Sequence, residues 1–397
     1  MAAATLLKNV RPRGGEALDV LIEEGHFQRF GKNLGAADAA IIDGRGLLML
    51  PALIESHVHL DKTLWGLPWR PNTAGPRLVD RIENERQIRR SLNVSIEERG
   101  GNLLRQCISQ GSTVVRSHID IDPETGLKGV MALLALRQKY AASVDLQLVA
   151  FPQQGILISP GTAELMEEAI KLGVDAVGGL DPAGIDRDPI GHLRIVFGIA
   201  ERQGSGVDIH LHDSGELGAW QVERIAEFTK ASGLAGRVMI DHAYCLGQIA
   251  PARLAAIARQ LADQKISIMT SAPADSEVPP AATLSAMGVT VCAGSDNIRD
   301  AWWPYGNGDM LERAYFVAGR FDWSKDEDLV AAFETATANN ARALGLRHYG
   351  LAPGNDADFL LVDCETLAEA VVSRPRRALV AKRGRIVARD GIFLAAS

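Results

Sequence analysis

Eight short apolar runs recur along residues 47–297, and each is followed by a stretch whose apolar residues fall at helical spacing. The runs are LLMLPALIESHVHL (47–60), STVVRSHIDI (112–121), DLQLVAFPQ (145–153) and DAVGGLD (175–181), then GVDIHLHD (206–213), RVMIDHA (237–243), ISIMTSA (266–272) and VTVCAGSDN (289–297). Between them lie amphipathic segments such as GTAELMEEAIKLG and PARLAAIARQLADQ. Nearly continuous apolar strands are buried on both faces, which is the signature of a parallel sheet covered by helices. Eight such repeats favour an α/β fold closed into a (β/α)8 TIM-type barrel, with a doubly wound open sheet as the competing arrangement. The chain ends read differently, as short strands separated by glycine (DVLIEEGHFQRFG, DADFLLVD, ALVAKRGRIVARDG). Residues 1–46 and 350–397 are therefore expected to form one small β-sandwich domain beside a barrel of residues 47–349. The length of 397 residues suits that plan, since a barrel takes about 250–300.

Composition removes several function classes. A net charge of −7 with no Lys/Arg-rich run argues against a nucleic-acid surface. No stretch approaches the roughly 20 apolar residues of a spanning helix, and the first residues, MAAATLLKNVRPRGG, lack the long apolar core of a secretory leader. Cys107, Cys245, Cys292 and Cys364 form no CxxC pair and read as free thiols in a reducing compartment. The expectation is a cytoplasmic protein acting on a small molecule, with assembly into a homo-oligomer left open.

The polar residues gather where the strands end. In a parallel barrel those ends share the C-terminal rim, where barrel enzymes place their sites. Alternate residues of a strand face the same way, so His57 and His59 point together. One HxH is weak evidence for a metal. Adding His210 and His212, His242 and Asp296 from other strand ends gives a set of imidazoles and a carboxylate that suits one divalent ion, zinc or iron. Three or four such donors with one open position leave room for a water whose pKa the ion pulls toward ~7.

The string PALIESHVHLDKT, followed in order by VRSHIDID, LVAFPQQGIL, VDIHLHDSGE, DHAYCLGQI and AGSDNIRDAWWPYGNGDML, resembles the cytosine deaminase group of the amidohydrolase superfamily. The closing APGNDADFLLVD resembles that superfamily's returning β domain, so the likeness covers about residues 47–390. The resemblance implies that His57, His59, His210 and Asp296 hold one metal, with His242 beside it handling a proton or orienting the substrate. It implies that Gln153 bonds the amide edge of a heterocycle and that Trp302 walls the pocket. Two-metal members carry a strand-four lysine, and DAVGGLDP has none.

Two positions depart from the group. Its HxxE becomes His210-Leu211-His212-Asp213, and its Asp-Asp becomes Asp296-Asn297. These variants, with HxHLDK, are similar to the N-isopropylammelide amidohydrolase branch, which acts on hydroxylated s-triazine rings. That likeness makes Lys62 and His212 acid/base candidates and places Asn297 at the substrate. The reaction implied is hydrolytic removal of an amino or alkylamino group from a pyrimidine or s-triazine. Asp296 acts as base, His242 stabilises charge, and Asp213 with His212 or Lys62 delivers a proton to the leaving nitrogen. Cyclic amide hydrolysis and a non-catalytic scaffold are the alternatives. His118 and Asp120 share a strand face and read as structural hydrogen bonders. Trp65 and Trp69 follow the HxH and either lid the pocket or pack their loop.

Overall fold

The computed structural model describes residues 4–75 and 78–395, so the outermost residues assigned to the β domain, 1–3 and 396–397, lie outside the description. Eight parallel strands form one sheet in sequence order: β1 (Leu53–Val58), β2 (Ser112–Asp120), β3 (Asp145–Phe151), β4 (Ala176–Leu180), β5 (Gly206–Leu211), β6 (Val238–His242), β7 (Ser267–Thr270) and β8 (Val291–Ala293). The sheet closes through a parallel bridge between Val58 and Asp296, where the Asp296 N–H donates to the His57 carbonyl at 2.8 Å. Asn340 straps the same seam, its amide donating to the carbonyls of Ile54 (2.7 Å) and Ala293 (2.9 Å). The barrel is thus the arrangement adopted, and the open sheet is not.

The helices cover the strands as their apolar spacing requires. In α2 (Ile96–Ser109), Leu103, Leu104, Cys107 and Ile108 are buried, and the Ser95 hydroxyl caps its start by accepting from the Glu98 N–H at 3.1 Å. The preceding helix, α1 (Leu78–Ser91), is mostly polar, with Asp80 in its first turn and Arg89 and Arg90 in its last. All four cysteines are free and buried. Among the described residues no helix is long and apolar enough to cross a membrane.

The run 47–60, read as one strand, is two. Leu48–Pro51 pairs antiparallel with Phe359–Val362, whereas the Leu53 N–H donates to the Gly111 carbonyl at 2.9 Å and starts the barrel. Pro51 has no N–H to continue a ladder, so the hydrogen-bonding partner changes there. Both chain ends join in a mixed nine-stranded sheet. Phe27, Met49, Phe359 and Leu379, from both termini, share its core. Lys382, 2% exposed at its side chain, ties this sheet to the barrel through Asp145 (2.6 Å) and Asp358 (2.7 Å).

Candidate functional site

The rim residues converge at the C-terminal mouth of the barrel. The His57 ring lies 5.4 Å from His59 and 4.6 Å from His210, centroid to centroid. Asp296 Oδ1 is 3.4 Å from His57 Nε2 and 3.3 Å from His59 Nε2, and His242 Nε2 is 4.0 Å from Asp296 Oδ2. Donor atoms of His57, His210, His242 and Asp296 lie within 4.8 Å of one another, all but Asp296 fully buried. Local backbone makes this possible. Asp181, His242 and Asp296 have φ of 34°, 68° and 63°, left-handed conformations that cost energy and gather at functional sites. At His242 the turn breaks strand alternation, so the neighbours Asp241 and His242 both face the cluster.

Beneath the cluster, Asp241 Oδ2 stands 3.0 Å from His57 Nδ1 and 3.5 Å from His210 Nδ1. A carboxylate behind an imidazole fixes its tautomer and raises its basicity as a ligand. Burial and the neighbouring histidines hold His210 well below the ordinary imidazole pKa. Burial with Lys62 does the same for His59, and burial with His212 for His242. His57 is the exception: burial opposes its charge, but Asp241 and Asp296 outweigh it and push the pKa up to about 10. The Nε2 atoms of His57, His210 and His242 are buried with no hydrogen-bond partner. Neutral imidazole lone pairs around a carboxylate, in a pocket that favours positive charge, fit a divalent cation.

His118 hydrogen-bonds Asp208 at 3.0 Å, and Asp208 pairs with Arg116 at 2.8 Å. It is nevertheless closer to the chemistry than a structural residue need be. Its ring is 4.0 Å from that of His57, and its donor falls within 4.8 Å of those of His57, His59 and His210.

Above the cluster opens a cavity of about 350 Å³, lined among others by His59, Lys62, Gln153, His212, Asn297 and Trp302. Lys62 is buried, its ammonium 3.0 Å from Asp120 Oδ1 and between the rings of Phe151 (5.2 Å) and Trp302 (5.6 Å). Burial opposes its charge, yet Asp120, Glu85 and Asp61 raise its pKa above the ordinary lysine value. It donates to the Gln153 side-chain carbonyl, which leaves that amide's N–H groups for a ligand. Asn297 donates to Asp300 at 2.5 Å, and burial pushes the Asp300 carboxyl up to about 6. The Trp302 indole N–H donates to Glu85.

His212 stacks on His242 with centroids 4.4 Å apart, its Nδ1 2.8 Å from Asp181 Oδ2. Burial works against a charge on His212, but Asp181 outweighs it and the pKa is raised. Asp213, expected at the leaving nitrogen, is turned away. Its carboxylate accepts from the Gly184 N–H and the Gln221 amide, both at 2.9 Å, and does not line the cavity. The reason is strand parity: His210 and His212 share the inner face, and residue 213 falls on the other. Trp65 and Trp69 also lie off the cavity, flanking the Arg299 guanidinium at 5.1 and 5.7 Å, so they pack the loop after β1 against the loop after β8. Asp181, Asp241 and Glu85 escaped the sequence reading. Asp181 ends its strand run as the other rim residues do, which was the available signal; Asp241 sits at odd parity, and Glu85 lies outside the barrel repeat.

A model of the amidohydrolase family matches residues 40–391. The chain belongs to the amidohydrolase family. Like the family's enzymes it is a hydrolase acting on carbon–nitrogen bonds. It superposes with a TM-score of 0.96 at 44% identity on the crystal structure of N-isopropylammelide isopropylaminohydrolase from Burkholderia multivorans, covering 99% of this chain and 100% of that one. The 5-methylcytosine deaminase of Klebsiella pneumoniae liganded with 5-fluorocytosine gives 0.86 at 28% identity, with 99% of each chain covered. In sequence, N-isopropylammelide isopropyl amidohydrolase of Pseudomonas sp. (strain ADP) is 29% identical over 365 residues, 89% of each protein.

Proposed function

We propose that this family member removes an amino or alkylamino group from a small nitrogen heterocycle, a pyrimidine or s-triazine, in a cytoplasmic setting. The observation that carries the reading is the ring-sized cavity, with Gln153 and Lys62 on one side and the His/Asp cluster on its floor. Relatives named for hydrolysis of N-isopropylammelide and deamination of 5-methylcytosine support it.

His57, His59, His210 and Asp296 would hold one zinc or iron ion, and the strand-four segment DAVGGLDP, without lysine, supports a single one. When bound, such an ion acidifies water and makes a nucleophile available near neutral pH. The remaining chemistry belongs to side chains. Asp296 takes the proton released as water attacks the ring carbon bearing the amine. His242, neutral and buried, stabilises charge developing there by hydrogen bonding in a dry site. His212, whose charged form Asp181 favours, passes a proton to the departing nitrogen. The Gln153 amide and the Lys62 ammonium orient the ring, Asn297 contacts its edge, and Trp302 walls it.

The test is amine release from N-alkylated s-triazines, cytosine, 5-methylcytosine, isocytosine and creatinine. Release of ammonia or alkylamine with the ring intact is expected. Ring opening without amine release would assign cyclic amide hydrolysis instead.

A further inference from the structure

Helix α1 crosses the barrel mouth with little to bury. Among residues 80–91 only Ile82 and Ile88 are aliphatic, so apolar packing cannot be its main attachment. It is fastened by charged side chains. Arg86 donates to the Gln154 side chain at 2.7 Å, Arg90 pairs with Glu124 at 2.8 Å, and Arg89 lies 3.7 Å from both Asp120 and Asp122. Beneath the helix a second cavity of about 310 Å³ separates it from the loop after β2, with Lys62 as the wall shared with the first.

Two residues of the helix bear on the site: Arg81 lines the cavity, and Glu85 meets its wall from behind. Glu85 is 7% exposed and accepts the indole N–H of Trp302. It is 4.0 Å from Lys62, whose nearer partner is Asp120 at 3.0 Å. Burial raises the Glu85 carboxyl, but Lys62, the indole N–H, a hydrogen bond with Asp120 and Arg89 outweigh it and lower its pKa. Trp302 sits in an irregular segment, tied by its backbone to Asp300 at 2.8 Å. Its ring has a single polar atom, and Glu85 holds it. A tryptophan side chain turns about two torsions, and fixing the indole nitrogen to a buried acceptor sets both.

We propose that Glu85 is a positioning residue that pins the Trp302 indole against Lys62 and thereby builds the aromatic wall on which the substrate ring rests, without touching that ring. Trp302 lines the cavity and Glu85 does not. The helix thus contributes to the binding pocket indirectly through the Glu85 carboxylate, beside Arg81, which lines it. The inference rests on the proposed heterocycle reading for its ligand and on the Glu85–Trp302 contact alone for its geometry.

The experiment has two arms, on the full chain. First, the Trp302 contribution to fluorescence is taken as wild type minus Trp302→Phe, and its quenching by acrylamide is compared in Glu85→Ala and Glu85→Gln. Glu85→Ala should expose that component, and Glu85→Gln, which keeps an acceptor for the indole, should not. Second, calorimetry measures binding of the hydroxylated product ring, cyanuric acid or 5-methyluracil. Glu85→Ala should weaken it about two- to ten-fold, the span of one aromatic contact. Glu85→Gln should stay within about twofold, and Glu85→Ala should add nothing in the Trp302→Phe background. Unchanged quenching in Glu85→Ala, equal damage in Glu85→Gln, or additive losses in the double variant would each overturn the proposal. If the parent binds none of these rings, the functional reading falls, while the quenching arm still decides whether Glu85 sets the indole.

Discussion

At the scale of residues, the cluster is built from groups whose preferred charge states differ by environment. His57 sits between Asp241 and Asp296, and removing its ring takes away a donor that both His210 and Asp296 face. His57→Ala should lose bound metal by elemental analysis together with activity; retention of either would reject the assignment. Asp296→Ala should lower kcat by about a thousand-fold or more with an unchanged circular dichroism spectrum. The pH dependence follows from His212. Its pKa is raised because Asp181 outweighs burial, so the charged ring persists to higher pH and activity falls as pH climbs through that raised value. Asp181→Asn removes the charge that raises it. The basic limb of kcat/KM should then move to lower pH, and an unmoved limb would exclude His212 as the proton donor. Parity explains what was legible here. The convergence of His57, His59 and His210 was readable from their even spacing on strands, whereas Asp213 stands off the cavity because one position along a strand reverses a side chain. Asp241 was hidden by the left-handed turn at His242, which no spacing rule anticipates.

At the scale of elements, the barrel strands were readable because parallel strands buried on both faces are apolar without interruption. The division at Pro51 was not read, since Leu48–Pro51 and Leu53–Val58 are equally buried and only their hydrogen-bond partners differ. Helix α1 has no apolar stripe for periodicity to find; its reason for being helical and docked lies in pairings with distant residues. The last strand is only three residues long, and its approach to the first depends on Gly294, where an added Cβ would stand 2.6 Å from His57 Cβ. Gly294→Ala should therefore destabilise by about 1–3 kcal/mol, as overpacking does. It should also lower metal content, because the atom it displaces belongs to His57. A melting temperature and metal content both equal to wild type would refute this close approach.

At the scale of the whole molecule, the chain-end sheet and the barrel are joined by Lys382, whose ammonium meets Asp358 and Asp145 below the strand starts. Lys382→Met would leave Asp358, itself buried, with only the Thr113 hydroxyl and the Arg383 N–H and no cationic partner. Breaking a buried pair from one side costs about 3–5 kcal/mol, so the urea midpoint should fall, while folded protein keeps its activity because the site is at the opposite end of the strands. No fall in the midpoint would show the contact to be energetically neutral. That both termini build one sheet was legible from their glycine-punctuated strands; the ion pairs that dock it were not, since they link residues far apart in sequence. The barrel seam has a further consequence. Val58 meets Asp296 there, so the expected ligands His57 and His59 stand on the opening edge of the cylinder and Asp296 on its closing edge. An ion held by both edges would act as a rivet, and by ligand linkage the folded population would grow with the free ion concentration. The lifetime of the chain against proteolysis would then follow the supply of that ion, and limited proteolysis with and without added ion would read it out.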